Sequence, residues 1–395
     1  MVARALLLLC AAVPAHAGDV LALRVGKLIT VADDDAVYAP GMLLCEDGKL
    51  TYVGAPIEVP EGAAVIELAD SWCAPGLVDL HTHIHGPGIN DMVHAVNPEL
   101  RARPCVIPGN AAIRLGCAGG VTTLFGIPGS GTNMGGFGVL YKARVQEPTY
   151  EAIVLRDPGG LKVAQDSNPQ RRNATDFGVT RAGQSWNLRD VALRARAAWE
   201  QDRVDYALEA LGQVMSGDLP VLIHTAGSDG VVNTARMWKV DFQTRCTVSH
   251  GSFDGWKTAS ALAAMDCPVN HGPRTVDFYS SQNGRINGSA AEFVAAGVPH
   301  FSLNTDSGVV PQEEFFLQAA MSARYGADSY TMLRALTANP AKAFGIDSRV
   351  GSLEVGKDAD VVVWTGDPLD PRACVRLVLI EGDIEYDRER DGQLF

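Results

Sequence analysis

The chain has 395 residues, a formal net charge of −13 at pH 7 and a sequence pI near 5.1. This acidic balance argues against a protein that binds nucleic acid or an anionic membrane surface, because both partners require clustered Lys and Arg. A small-molecule partner is therefore favoured, and the length allows one large domain or two to three average ones.

The first seventeen residues have the pattern of a secretory signal peptide. Arg4 gives a positive start, residues 5–13 form an apolar run, and Ala15-His16-Ala17 provides a small-residue cleavage site. The apolar run is too short to serve as a membrane anchor. We therefore expect residues 1–17 to be removed, and the mature protein to begin near Gly18 and to be secreted or periplasmic.

Both ends of the mature chain alternate apolar and polar residues, which is the pattern of β-strands. The runs concerned are Val20 to Ile29, Gly41 to Val53, Ala359 to Trp364 and Val375 to Ile380. Two short polar segments are predicted turns between such strands, Glu46 to Lys49 and Glu381 to Asp383. We expect residues 18–75 and 344–395 to form one small composite β-sandwich domain.

Between these ends, residues 76–343 alternate short apolar strands with helical patterns such as Leu188 to Leu211 and Ser329 to Ala338. This alternation is typical of a parallel βα barrel. The predicted fold is therefore α/β, a (β/α)8 TIM barrel with the β-sandwich attached. The glycine-rich stretch Gly129 to Gly138 is expected to be a loop at the pocket rim, because no P-loop lysine follows it.

Five side chains of metal-ligand type follow predicted barrel strands. An apolar strand leads into His81 and His83, and alternate residues of a strand point to the same side, so both rings are predicted to project together. Three more side chains of this type stand where other apolar runs stop, and they are His224, His250 and Asp306. The carboxyl ends of barrel strands meet at one face, so the five are expected to form a metal site.

The chemistry of such a site follows from the ligand types. Imidazole nitrogens favour Zn²⁺, although iron or manganese would fit similar ligands. A bound ion of this kind lowers the pKa of water from about 15.7 to roughly 7 and polarises a carbonyl group. Asp306 is the predicted general base, which would later deliver the proton to a leaving nitrogen, and His250 is assigned to catalysis with it. The alternative role for Asp306 is a helix N-cap.

Several stretches of the chain resemble the amidohydrolase superfamily, most closely its imidazolonepropionase-like and prolidase-like branch. Besides the strand with two histidines, they are Gly119 to Thr123, Pro128 to Gly136, Thr337 to Lys342 and Gly351 to Asp360. The resemblance covers nearly the whole mature chain. It implies a barrel with a composite β-sandwich and a hydrolase that depends on metal.

Lys162 resembles the strand-end lysine that some branches of this family carry as a carboxylated ligand between two metals. The following residues depart from the closest branch, because Ser167 stands where a glutamate is expected. The sequence is therefore compatible with one or two metal ions, and an ordinary surface lysine is the alternative.

Three further residues have predicted positions near the site. His271 and Arg274 follow the presumed seventh strand and are candidate substrate contacts, with loop hydrogen bonds as the alternative. His85 lies in a loop rich in Gly and Pro, where we expect it to be exposed to solvent.

The ligand set and the resemblance predict hydrolysis of a carbon–nitrogen bond other than a regular peptide bond, in an amide or cyclic amide. The closest alternative is a peptidase of Xaa-Pro dipeptidase or metallocarboxypeptidase type, acting on a dipeptide-like substrate. A deaminase is disfavoured, because Gly227 stands where such relatives usually carry a glutamate proton shuttle. A binding protein without turnover is the remaining class. The oligomeric state, a homo-oligomer included, is left open.

Overall fold

The structure is a computed structural model that describes residues 20–146, 148–171, 177–277, 284 and 286–395. The predicted signal peptide, residues 1–17, lies outside the described residues. Within those residues, no helix is both long enough and apolar enough to cross a membrane.

The secondary structure alternates strands and helices through the middle of the chain and is rich in strands at both ends. The strands are β1 (Leu21–Ile29), β2 (Val37–Tyr38), β3 (Gly41–Glu46), β4 (Lys49–Gly54), β5 (Ala64–Pro75), β6 (Leu77–Thr82), β7 (Val121–Gly126), β8 (Met134–Lys142), β9 (Val154–Ala164), β10 (Val221–Thr225), β11 (Cys246–His250), β12 (Val269–His271), β13 (Val276–Asp277), β14 (Asn287–Gly288), β15 (Ser302–Leu303), β16 (Val361–Trp364), β17 (Val375–Ile380) and β18 (Asp383–Asp387). The α-helices are α1 (Ala111–Ala118), α2 (Tyr150–Ile153), α3 (Arg181–Glu200), α4 (Glu209–Ser216), α5 (Ser228–Ala235), α6 (Ala259–Ala264), α7 (Ser289–Ala295), α8 (Phe315–Arg324), α9 (Ser329–Leu336), α10 (Ala338–Phe344) and α11 (Arg388–Asp391). A short 3-10 helix, Gln312–Glu314, precedes α8.

An eight-stranded sheet forms a nearly closed barrel in the order β15-β12-β11-β10-β9-β8-β7-β6. A parallel bridge between Thr82 and Ser307 brings the two ends of this sheet together. The predicted (β/α)8 barrel is therefore confirmed in its general arrangement. One strand differs, because β8 runs antiparallel to both β7 and β9, whereas the other neighbouring strands of this sheet pair in parallel.

The reversed strand β8 begins at Met134, so the expectation of a loop over Gly129 to Gly138 is wrong for its second half. Nearly all residues of β8 are buried. Its glycines permit close packing in the sheet, since a Cβ atom on Gly138 would lie 2.5 Å from the carbonyl oxygen of Gly126. Glycine has a low strand propensity, and here packing between strands outweighs that local preference.

The predicted helix over Leu188 to Leu211 is divided into α3 and α4. The break follows Glu200, and Asp202 in the connecting segment has a φ of 49°. Aspartate is among the residues that tolerate this left-handed conformation, which a right-handed helix cannot include. The apolar pattern on both sides of the break therefore belongs to two helices that pack separately.

Both ends of the chain contribute to a second eight-stranded sheet, the end sheet, in the order β18-β17-β16-β5-β1-β3-β4 with β2 beside β1. Strand β5 pairs parallel with β1 and antiparallel with β16. The turns at Asp47-Gly48 and Glu381-Gly382 have positive φ at both positions, as tight hairpins require, so the two predicted turns are confirmed. The β-sandwich and the domain boundaries stay predictions.

A buried ion-pair cluster joins the barrel to the C-terminal part of the chain. Lys142, the last residue of β8, places its Nζ atom 2.9 Å from Oδ2 of Asp358 and 2.6 Å from Oδ2 of Asp360. The side chains of all three residues are almost completely buried. Opposite charges therefore hold the end of β8 against the segment that leads into β16.

Candidate metal centre

The predicted ligands lie on different strands of the barrel and meet at their carboxyl ends. His81 is the penultimate residue of β6, His224 the penultimate residue of β10 and His250 the last residue of β11. Asp306 follows β15, and Lys162 lies near the end of β9. The parallel pairing of these strands places the five residues at one face of the barrel.

The carboxylate of Asp306 is the common contact of three histidines. Its Oδ1 atom lies 3.1 Å from Nε2 of His83 and 3.3 Å from Nε2 of His81, and its Oδ2 atom lies 4.0 Å from Nε2 of His250. One donor atom each from His81, His250 and Asp306 lie within 4.8 Å of one another. The ring centroid of His224 is 4.5 Å from that of His250. The four histidines and Asp306 therefore surround one small volume.

The other ring nitrogen of three histidines is held by the protein. Nδ1 of His83 lies 2.9 Å from the carbonyl oxygen of Ile127, and Nδ1 of His250 lies 2.8 Å from that of Gly272. A carbonyl oxygen accepts hydrogen bonds and cannot donate them, so both Nδ1 atoms carry the proton. Nδ1 of His81 lies 2.6 Å from Oγ of Ser249. These contacts orient the rings so that their Nε2 atoms point towards Asp306.

This arrangement fits a divalent cation. In neutral His83 and His250, Nε2 is a lone pair that faces a carboxylate, and two acceptors facing each other need a cation or a proton between them. Nε2 of His250 is buried and has no hydrogen-bond partner among the described residues. Imidazole nitrogens supported by a second contact at Nδ1, together with a carboxylate, form a donor set for a transition metal.

The electrostatic environment keeps these groups in their ligand forms. Burial lowers the pKa of His81 well below its ordinary value, and the nearby charge of Lys162 acts in the same direction. Burial also lowers the pKa of His250. For Asp306, burial acts to raise the pKa, but the hydrogen bond with His83 and the electrostatic influence of His250 and Lys162 outweigh it, so the pKa is lowered. Neutral imidazoles and an ionised carboxylate are the forms that bind metal.

Lys162 is fully buried, and its Nζ atom lies 3.5 Å from Nε2 of His81. It donates hydrogen bonds to Oγ of Ser130 at 2.9 Å and to the carbonyl oxygen of Pro128 at 3.4 Å. Burial lowers its pKa to about 7, so a large share of the amine is neutral near that pH. The alternative of an ordinary surface lysine is therefore wrong. The first half of the glycine-rich stretch reaches the site through Ser130.

The two candidate substrate contacts lie in different surroundings. His271 is fully buried, with Nδ1 2.7 Å from the carbonyl oxygen of His250 and Nε2 2.9 Å from Oγ of Ser289. Both of its ring nitrogens are thus engaged within the protein, and it would have to give up the contact with Ser289 to bind substrate. Arg274 has an exposed side chain. Their roles as substrate contacts stay predictions.

His85 is fully buried, so the expectation that it is exposed to solvent is wrong. Neither of its ring nitrogens has a hydrogen-bond partner among the residues that the structure describes. Burial lowers its pKa to about 4, which keeps the ring neutral at physiological pH. His85 lies in a turn beyond the end of β6, so the alternation of the strand does not extend to it and no local pattern marks its burial.

Three residues that support the site were not among the sequence candidates: Asp79, Ser249 and Gln312. Asp79 and Ser249 are small polar residues in mainly apolar strands. Asp79 lies two positions before His81, and Ser249 directly precedes His250. A polar residue in a buried strand needs a partner, and this was the signal available for both. Gln312 lies far along the chain in a short helix, where no local pattern marks it.

Ser249→Ala is expected to weaken metal binding about 10- to 100-fold, because the ring of His81 loses the contact that fixes its orientation. Competition between the protein and a chelator for Zn²⁺ measures the affinity. Ser302→Ala is the matched control, because Ser302 is equally buried but hydrogen-bonds to Asn270 instead of a ligand. Equal zinc affinity in the two variants would contradict the role assigned to Ser249.

Comparison with known proteins places the chain in a family. The profile described as the Amidohydrolase family matches residues 191–385. The amidohydrolase tasK of Hapsidospora irregularis is 26% identical over 88% of this chain. The match covers only 40% of the length of tasK. A dihydroorotase of Anaeromyxobacter dehalogenans (strain 2CP-C) is 24% identical, over 89% of this chain and 90% of the relative. The solved structure of an amidohydrolase from Thermotoga maritima MSB8 is 29% identical, with a TM-score of 0.84 over 93% of this chain and 100% of that chain. The profile match, the relatives and the solved structure together support placing the chain in the amidohydrolase superfamily, as a metal-dependent hydrolase that acts on carbon–nitrogen bonds.

Proposed function

We propose that the protein hydrolyses a carbon–nitrogen bond in a small amide or cyclic amide, with a divalent metal held by His81, His83, His224, His250 and Asp306. The observation that carries this proposal is the convergence of three imidazole Nε2 atoms on the carboxylate of Asp306. A catalytic ion of this kind keeps one coordination position for water. We also propose that the protein is exported, from the composition of residues 1–17.

Zinc is the proposed ion, because most of the donors are imidazoles. When bound, it lowers the pKa of water from about 15.7 to roughly 7 and polarises the carbonyl group of a substrate. The chain supplies the ligands in their metal-binding forms, since burial lowers the pKa values of His81 and His250. The hydrogen bonds at Nδ1 hold these rings in place as the substrate enters and the product leaves.

Asp306 is the proposed general base and acid. Its side chain is 21% exposed, in contrast to the fully buried His81, so it can be reached by water and by substrate. The lowered pKa keeps the carboxylate ready to accept a proton from the attacking water. The same carboxylate then delivers the proton to the leaving nitrogen. His250, whose Nε2 is 4.0 Å from Oδ2 of Asp306, would take part by binding the same ion as this carboxylate.

Lys162 is proposed as a further metal ligand after carboxylation. A neutral lysine amine adds to CO2 to form a carbamate and releases one proton, which converts a cation into an oxygen donor. The lowered pKa of the buried amine favours the neutral form that this addition requires. The carbamate would extend from β9 towards His81, whose Nε2 is already 3.5 Å from Nζ. The carbamate would add an oxygen donor suited to a second metal ion.

Treatment of the purified protein with a chelator is expected to abolish hydrolysis of its amide substrate, a loss of at least about 100-fold, and Zn²⁺ to restore it. The measurement is turnover on a panel of linear amides, cyclic amides, Xaa-Pro dipeptides and dipeptides with other C-terminal residues. Metal content after reconstitution with and without bicarbonate provides a separate readout for Lys162.

The outcomes separate the candidate functions. Turnover confined to dipeptides would establish the peptidase alternative and overturn the proposed substrate class. Metal-loaded protein that hydrolyses nothing on the panel would favour a binding protein. A rise from one to two metal equivalents with bicarbonate supports a carboxylated Lys162, and equal content under both conditions contradicts it.

A further inference from the structure

A buried carboxylate connects the first barrel strand to the segment that carries Asp306. Asp79 in β6 is fully buried. Its Oδ2 atom accepts hydrogen bonds from Oγ1 of Thr305 at 2.6 Å, from the backbone N–H of Thr305 at 3.1 Å and from Nε2 of Gln312 at 2.8 Å. Its Oδ1 atom accepts one from the backbone N–H of His81 at 2.9 Å. One side chain thus contacts the residue next to Asp306 and the backbone of a ligand histidine.

Gln312 completes this connection from the other side. Its Oε1 atom accepts a hydrogen bond of 2.6 Å from Oγ1 of Thr82, which lies between His81 and His83. Helix α1 has glycines where it passes the 3-10 helix, and a Cβ atom on Gly116 would lie 2.7 Å from Cγ of Gln312. The close approach of α1 therefore presses Gln312 against β6, and the side chain is 1% exposed.

The backbone of Asp306 is in a conformation that needs outside support. Its φ is 47°, in the left-handed region, which aspartate tolerates better than most residues with a side chain but which is still less favourable for it than the right-handed region. Both neighbours of Asp306, Thr305 and Ser307, are held by hydrogen bonds. The backbone N–H of Ser307 donates to Oγ1 of Thr305 at 3.1 Å, and the backbone N–H of His83 donates to the carbonyl oxygen of Ser307 at 2.7 Å. Strained residues persist where surrounding contacts determine their conformation, and they cluster at functional sites.

We propose that Asp79 and Gln312 are positioning residues that act through Thr305 to hold Asp306 in its left-handed conformation, so that its carboxylate meets the ligand histidines. The inference rests on the proposed function in that Asp306 is taken as part of a metal site. The same contacts complete the barrel beside the bridge between Thr82 and Ser307. The contacts that close the barrel are therefore the same contacts that set the spacing of the metal ligands.

Thr305→Val tests this inference, because it removes the hydroxyl group that links Asp79 to Ser307 and keeps the shape of the side chain. We expect the dissociation constant for Co²⁺ to rise about 10- to 100-fold and the visible absorption spectrum of the bound ion to change, as loss of an outer contact to a ligand does. Thr305→Ser retains the hydroxyl group and is expected to stay within about threefold of the wild type.

Thr337→Val is the matched control. Thr337 is fully buried, and its Oγ1 atom donates to the carbonyl oxygen of Leu333 at 2.7 Å, in a helical region without a ligand residue. Thr337→Val loses one buried hydrogen bond, and Thr305→Val loses those to Asp79 and from Ser307, so both variants should have lowered melting temperatures, Thr305→Val by more. The Co²⁺ affinity and spectrum of Thr337→Val should remain those of the wild type. Gln312→Met, which keeps the side-chain volume, gives a second route to the same loss of affinity.

The Co²⁺-binding results of these variants support or overturn the role proposed for Asp79 and Gln312. Weaker Co²⁺ binding with an altered spectrum in Thr305→Val and Gln312→Met, but not in Thr305→Ser or Thr337→Val, supports it. Unchanged Co²⁺ binding in both Thr305→Val and Gln312→Met overturns it while the proposed function stands. A wild-type protein that binds no Co²⁺ overturns both. Normal Co²⁺ binding by the wild type without hydrolysis of any amide, together with weak binding by Thr305→Val, leaves the inference intact and removes the proposed function.

Discussion

Replacing Asp306 by asparagine is expected to lower turnover by about 1,000-fold, within the range of 10²–10⁴ that general acid–base catalysis contributes. The amide retains the size of the side chain, but it cannot accept the proton from water or return it to a leaving nitrogen. The three histidines that face this carboxylate remain in place, held by their Nδ1 contacts. Steady-state kinetics on the amide substrate measures the loss.

Two further measurements separate a lost proton acceptor from a lost metal or a lost fold. Metal content and melting temperature of Asp306→Asn should show that the protein is folded and loaded. Asp229→Asn is the control, because Asp229, at the start of α5, is an exposed carboxylate that pairs with Arg181. Turnover by metal-loaded Asp306→Asn within about tenfold of the wild type would exclude Asp306 as the general base.

Lys142→Ala is expected to lower the free energy of unfolding by about 3–5 kcal/mol, the usual cost of removing one partner from a buried ion pair. The side chain of Lys142 is 2% exposed and contacts the carboxylates of Asp358 and Asp360. Asp358 retains Lys49 and Arg349 as partners, whereas Asp360, whose side chain is 4% exposed, loses its lysine contact. An uncompensated buried charge is therefore left at the junction of the barrel and the end sheet.

Urea denaturation followed by circular dichroism measures this change. Arg194→Ala is the comparison, because Arg194 forms an exposed pair with Asp190 four residues earlier in α3, and its loss should cost about 0.3–0.5 kcal/mol. A second variant, Lys142→Ala with Asp360→Asn, should recover part of the stability by removing the unpaired charge. If Lys142→Ala loses no more stability than Arg194→Ala, the buried cluster does not hold the barrel and end sheet together.

The metal centre was accessible from the sequence because its signals are local. His81, His224 and His250 each follow an apolar run, and the barrel rule places the ends of such runs at one face. The identities of the ligand residues could therefore be predicted without a structure. The orientation of their rings could not, because the Nδ1 partners include backbone carbonyls such as those of Ile127 and Gly272, which carry no sequence signal.

The features that the sequence did not predict depend on contacts between distant segments. Strand β8 looks like a loop because its glycines have low strand propensity, and its neighbours β7 and β9 impose the extended conformation. Gln312 meets Asp79 across 233 positions of the chain, and no periodic pattern reports such a meeting. His85 was assigned to solvent from the composition of its loop, whereas it is buried against the distant residue Gly126 of β7.

The strand order of the end sheet has a consequence for folding during synthesis on the ribosome. The last four residues of β5, Trp72 to Pro75, pair along one edge with β16, which is synthesised after nearly the whole barrel. Until then, that edge presents unpaired backbone N–H and C=O groups to other chains. Nascent or truncated chains that lack residues from Val361 onwards should therefore be prone to aggregation, and the completed C-terminus acts as the protecting strand.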